Sequence, residues 1–186
     1  MCKENVNISE LAEKAYRTAY EYLPRWRACG PAAFAAIMDT LGYSDDDSVN
    51  DIWKAVVGLT GGTGNMATGT CGAFAGAAAA ISYSFGHSRD VLENDVMKML
   101  TINSAVAEVG NRMKEKYGHT VCQEVQFSLW GKAFRFTNPD AMMEFAALSS
   151  SSDDFECRKV VGDLAMWAVE KILERNPSFF RPQINI

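Results

Sequence analysis

Residues 61–80 constrain this chain more than any other stretch: Gly61-Gly62-Thr63-Gly64-Asn65-Met66-Ala67-Thr68-Gly69-Thr70-Cys71-Gly72-Ala73-Phe74-Ala75-Gly76-Ala77-Ala78-Ala79-Ala80. Glycine tolerates positive φ and lets other groups approach the backbone, so its repetition predicts a tight, crowded loop. The small residues that follow predict a helix, and Cys71 stands where the loop becomes that helix. Gly72, Gly76 and Ala80 fall four apart on one face, a pattern that serves close packing within the chain or a contact between subunits.

The rest of the chain reads as helices. Asn7 and Glu10 resemble a capping box, and the apolar spacing from Ile8 to Leu23 predicts a helix that Pro24 stops. Cys29 and Gly30 precede Pro31, a first-turn proline, and Phe34, Ile37, Met38 and Leu41 form the apolar stripe of a second helix ended by Gly42. Asp45 to Ser48 caps a short helix holding Ile52, Trp53, Val56 and Val57. From Ser88 to Tyr117 the pattern is helical again, as one kinked helix or two. Thr120 to Val125 is β-branched but has no second strand run to pair with, and is read as a short helix or loop. Asn138-Pro139 caps a helix through Leu148, and Ser149 to Asp154 is a polar linker. A last helix carries Cys157, Val160, Val161, Leu164, Ala165, Ala168, Val169 and Ile172 at i, i+3, i+4 and i+7 spacing. The tail, 176–186, with Pro177 and Pro182, is expected to lie extended. The fold class that follows is all-α: a single domain over 1–186, a helical bundle with a glycine-rich loop carrying a central cysteine.

Several function classes are excluded. With 186 residues, 48% apolar and 22% charged, the chain is an ordinary globular domain rather than a disordered or fibrous one. A net charge of -5 gives no electrostatic reason for a nucleic-acid or anionic-membrane partner. No apolar run is long enough to span a bilayer, and the charged first seven residues lack a signal-peptide core, so a cytoplasmic protein is expected. The glycine loop lacks the lysine of a P-loop and the strand context of a dinucleotide site. Only His87 and His119 occur, each after a helix-ending glycine and read as solvated, and no Cys-x-x-Cys-His run attaches haem covalently. No nucleophile elbow or other classical catalytic constellation is visible, although a helix start would favour a thiolate at Cys71 or Cys29.

What remains is cysteine. Beyond the terminal Cys2, which fits no pattern, Cys29, Cys71, Cys122 and Cys157 lie 42, 51 and 35 residues apart, far from paired zinc-finger or ferredoxin spacing. In a reducing compartment such cysteines serve metal ligation, redox chemistry or inert burial. Cys29, Cys71 and Cys157 each begin a predicted helix, and Cys122 follows one. Helix N-termini stabilise thiolates, so a bundle gathering these ends suits an anionic thiolate-ligated cluster. Four inert core cysteines is the competing account.

These residues carry a resemblance. Ala28-Cys29-Gly30-Pro31-Ala32-Ala33, Gly61-Gly62-Thr63-Gly64 leading to Thr70-Cys71-Gly72-Ala73-Phe74-Ala75-Gly76-Ala77, Tyr117-Gly118 with Cys122, and Cys157-Arg158-Lys159-Val160-Val161-Gly162-Asp163 together resemble the redox-active proteins named for their C_GCAxxG_C_C cysteine pattern. The cluster-bearing domain of split-Soret cytochromes c is related to the same group. The resemblance covers about residues 11 to 174. It implies that Cys29, Cys71, Cys122 and Cys157 come together as metal ligands of an iron-sulfur cluster, in electron transfer or redox sensing. Gly62, Gly64, Thr70, Gly72 and Gly76 would border that cofactor, and a homodimer and a redox partner protein are implied with it. The central motif reads Cys-Gly-Ala-x-x-Gly instead of Gly-Cys-Ala-x-x-Gly, and the haem-attachment segment of the cytochrome relatives is absent. The alternatives are a metal-free thiol-disulfide protein, or a structural zinc site in a helical interaction protein.

Overall fold

The computed structural model describes residues 7–150 and 156–182, so Cys2, the linker at 151–154 and the last residues of the tail lie outside them. Within the described residues the chain forms α1 (Ile8–Trp26), α2 (Cys29–Thr40), α3 (Asp47–Val56), α4 (Gly72–Phe85), α5 (Arg89–Asn94), α6 (Val96–Tyr117), α7 (Cys122–Trp130), α8 (Pro139–Ser150) and α9 (Glu156–Arg175). Single 3-10 turns follow at Val57–Leu59 and Pro177–Phe179. The all-α expectation holds, and no described helix is long and apolar enough to cross a membrane.

Helix α2 is the axis of the bundle. An amphipathic stripe would bury only one face, but Ala32, Ala33, Phe34, Ala36, Ile37 and Met38 are all inaccessible, because α1, α3, α4 and α9 pack round it. Small residues set the spacing. Ala12, Ala15 and Ala19 bury the inner face of α1, and a Cβ on Gly162 of α9 would meet the Tyr16 ring at 2.7 Å. Gly76 of α4 lies against the Gly30 carbonyl of α2 with no room for a Cβ, so the small-residue face of α4 is used inside the chain.

Three local expectations are corrected, and one left open is decided. Pro24 lies inside α1, whose end is the left-handed Arg27. A proline leaves the carbonyl four residues earlier without its amide partner, and here Arg158 Nε of α9 donates to that Tyr20 carbonyl at 3.0 Å, so the helix survives its proline. Of the two readings open for the stretch after Ser88, two helices is the one found, because Asp95 leaves helical geometry and caps α6 by accepting from Met97 N–H at 3.0 Å. The β-branched run at Thr120-Val121 does find a partner, in one isolated antiparallel bridge between Val121 and Thr70. The tail is not extended throughout: Pro177–Phe179 forms a 3-10 turn, Tyr43 O–H donates to the Phe179 carbonyl at 2.9 Å, the two rings stack at 4.5 Å, and Arg181 N–H donates to the Leu41 carbonyl.

Candidate functional site

The loop before α4 is built from left-handed residues. Gly61, Gly62, Thr63, Gly64, Asn65 and Ala67 all have φ between 58° and 68°. Only half of these are glycine, so the loop holds strain at Thr63, Asn65 and Ala67 that its hydrogen bonds must offset. Gly64 N–H donates to the Gly58 carbonyl, Ala67 N–H to Gly61 and Gly69 N–H to Gly62, at 2.8–3.1 Å. The coiled backbone then reaches across to α7: Cys122 N–H donates to the Gly69 carbonyl and Gln123 N–H to Ala67, at 2.9 and 2.8 Å. Cys71 N–H returns the pairing by donating to the Thr120 carbonyl at 2.7 Å. Loop carbonyls therefore cap α7 in place of a side chain, and Cys71 and Cys122 are fixed on either side of the Thr70–Val121 bridge.

Each of the four cysteines opens a helix. Cys29 is the first residue of α2, Cys71 is the N-cap of α4, Cys122 is the first residue of α7, and Cys157 is the second of α9. For Cys122, which follows α6, the short helix is the one of the two expected readings that is found. Gly72 lies directly over Cys29, where a Cβ would come within 2.5 Å of its Sγ, and a Cβ on Gly62 would come within 2.7 Å of the Cys122 Cβ. All four are free thiols; Cys71 and Cys122 are buried, Cys29 and Cys157 partly so.

Burial pushes every one of these thiols above its ordinary pKa, and for Cys71, Cys122 and Cys157 neighbouring cysteines add to it. Cys71 is raised by burial and then by Cys29 and Cys122. Cys157 is raised by burial and then by Cys71, Cys29 and Cys122, and Cys122 is pushed up to about 11 by burial and Cys29. Geometry joins three of them, since Gly72, next to Cys71, lies over Cys29 and the Thr70–Val121 bridge sets Cys71 beside Cys122, and burial raises all four. Backbone N–H groups oppose it: those of Gly61, Gly30 and Ala73 face the Cys29 sulfur, and those of Phe74 and Ala73 face Cys71, without closing a conventional capping bond. Among the described residues no three His, Cys, Asp or Glu side chains already form a cage for a metal ion.

The five bordering residues expected from the sequence divide. Gly62 and Gly72 touch Cys122 and Cys29, Gly76 serves helix packing, and Gly64 and Thr70 are exposed. Two features were not anticipated. Gln126, one turn beyond Cys122, donates from Nε2 to the Cys122 Sγ at 3.2 Å; that contact becomes legible once a helix is known to start at Cys122. Tyr117 O–H donates to the buried Asp163, whose carboxylate also pairs with Lys116 at 2.5 Å. This ties the end of α6, before Cys122, to α9, after Cys157.

Searches among curated proteins and among solved structures returned no match. The family whose sequence pattern is described as "Putative redox-active protein (C_GCAxxG_C_C)" matches residues 27–171, a span holding Cys29, Cys71, Cys122 and Cys157, and the chain belongs to that family.

Proposed function

We propose that the protein is a redox carrier or sensor that holds an iron-sulfur cluster through Cys29, Cys71, Cys122 and Cys157. The observation that carries this reading is that four free thiols each stand at the start of a different helix, with Gly72 set over Cys29 and the Thr70–Val121 bridge joining Cys71 to Cys122. The donor chemistry fits. Thiolates are the ligands of iron-sulfur clusters, and N–H groups facing ligand sulfurs are among the features that set a cluster's potential. Four thiolates this far from water would be costly without a cation, so burial favours the protonated thiols, and ligation would release those protons.

When bound, such a cluster would supply reversible one-electron chemistry. The chain's own contributions are separable. The α2 and α4 starts present N–H groups to Cys29 and Cys71. Gly62 and Gly72 admit Cys122 and Cys29 where a Cβ would exclude them. Membership of a family named for redox activity supports the same reading.

The test is metal and acid-labile sulfide analysis with visible absorption on anaerobically purified protein. Iron and sulfide with charge-transfer absorption are expected, and Cys71→Ser should bleach the protein. Colourless protein with stoichiometric zinc would replace this reading by a structural zinc site. Absence of metal, with thiols that pair reversibly across graded redox buffers, would replace it by thiol-disulfide chemistry.

A further inference from the structure

Gln126 is 3% exposed and lies one helical turn after Cys122 in α7. Its Oε1 accepts from Phe134 N–H at 2.6 Å, and its Nε2 donates to Cys122 Sγ at 3.2 Å. The first bond fixes the second: a backbone N–H needs the amide oxygen, so the amide nitrogen is the end left facing sulfur. Phe134 is itself buried, with its ring 5.8 Å from Trp130 and 5.4 Å from Phe145. The glutamine therefore cannot turn over without displacing a packed aromatic cluster. Filling this space would not require an amide, and a buried amide is costly to desolvate unless both its ends are bonded. Here both are, and one of the two partners is a thiol of the site.

We propose that Gln126 is a positioning residue of the cysteine site, holding the Cys122 sulfur with its side-chain N–H and making the bound centre easier to reduce. This rests on reading the site as an iron-sulfur centre. A hydrogen bond to a ligating sulfur offsets negative charge and so favours the more electron-rich state, while the donors facing Cys29 and Cys71 do the same from main chain, whatever side chain those residues carry. Gln126 is thus the donor through which side-chain identity sets the potential.

Two variants and one metal-free measurement test this. Gln126→Met keeps the length and removes the donor; Gln126→Glu keeps an acceptor for Phe134 N–H and turns an oxygen toward the sulfur. After anaerobic reconstitution with iron and sulfide, Gln126→Met is expected to take up wild-type iron and to be harder to reduce by about tenfold in the equilibrium constant, about 59 mV for one electron. Gln126→Glu should shift further in the same direction. Midpoints equal to wild type in a folded, loaded Gln126→Met would overturn the proposal. In metal-free 15N-labelled wild type, the Gln126 side-chain amide should resist solvent exchange and shift on Cys122→Ala. An amide exchanging as fast as an exposed glutamine, unmoved by that change, would overturn it without any cluster. A wild-type protein that takes up no iron or sulfide while its Gln126 amide stays protected counts against the iron-sulfur reading, and leaves the contact with Cys122 standing.

Discussion

At the scale of single residues, the missing Cβ atoms decide where thiols can stand. Gly72 is the sharpest case, since a Cβ there would lie 2.5 Å from Cys29 Sγ and 2.9 Å from the Leu59 carbonyl, which as backbone cannot swing away. Gly72→Ala is expected to lose about 1–3 kcal/mol of stability in urea unfolding, and to bind less iron than wild type at equal folded fraction. Tyr22 gives a pH prediction. Burial and its hydrogen bond to Asp39, at 2.8 Å, push the phenol up to about 12 from the 10.0 of an unstructured chain. The folded state thus holds this proton more tightly, so the stabilisation is complete below pH 10 and is lost as pH rises toward 12. Tyr22→Phe should flatten that alkaline fall in stability, measured as denaturation midpoints between pH 9 and about 12. Neither contact is visible from spacing. The glycines announce a tight loop, but only the fold says that Cys29 is what Gly72 makes room for.

At the scale of elements, periodicity located nearly every helix, and its failures have local causes. Pro24 reads as a stop because a proline breaks the backbone ladder from within the helix. What rescues α1 is a side chain more than a hundred residues away: Arg158 donates to the Tyr20 carbonyl and stacks over the Tyr20 ring at 3.9 Å. Arg158→Met should retain much of the side-chain packing and leave that carbonyl without this donor, at about 1–2 kcal/mol. Faster amide exchange in the last turn of α1 is the expected signature, and unchanged exchange there would refute it. Cys122 was legible as a family cysteine but its segment only as a short helix or loop, because its cap is not a Ser, Thr, Asp or Asn beside it. The cap is the carbonyls of Ala67 and Gly69, brought across by the loop.

At the scale of the whole molecule, the chain is closed by its own tail. Phe179 stacks on Tyr43, meets Tyr83 edge-on at 6.1 Å, and is followed by Arg181, whose guanidinium lies 3.8 Å over the Tyr43 ring and pairs with Asp46 at 3.0 Å. Phe179→Ala should cost about 1–2 kcal/mol and lower the melting midpoint by roughly 2–8 °C. Cofactor content should not change, since the contacts of this strap are with Tyr43, Tyr83, Asp46 and Leu41. The sequence by itself determined the all-α class, most helix positions and the four cysteines, because helical periodicity, caps and cysteine order are local properties of the chain. Tertiary structure alone decided the rest: that α2 is buried on every side, that Pro24 is tolerated, that a strained loop caps α7, and that Gln126 faces Cys122. Each of these depends on groups distant in sequence meeting across small residues, and a one-dimensional pattern carries no record of which surfaces come within 3 Å of one another.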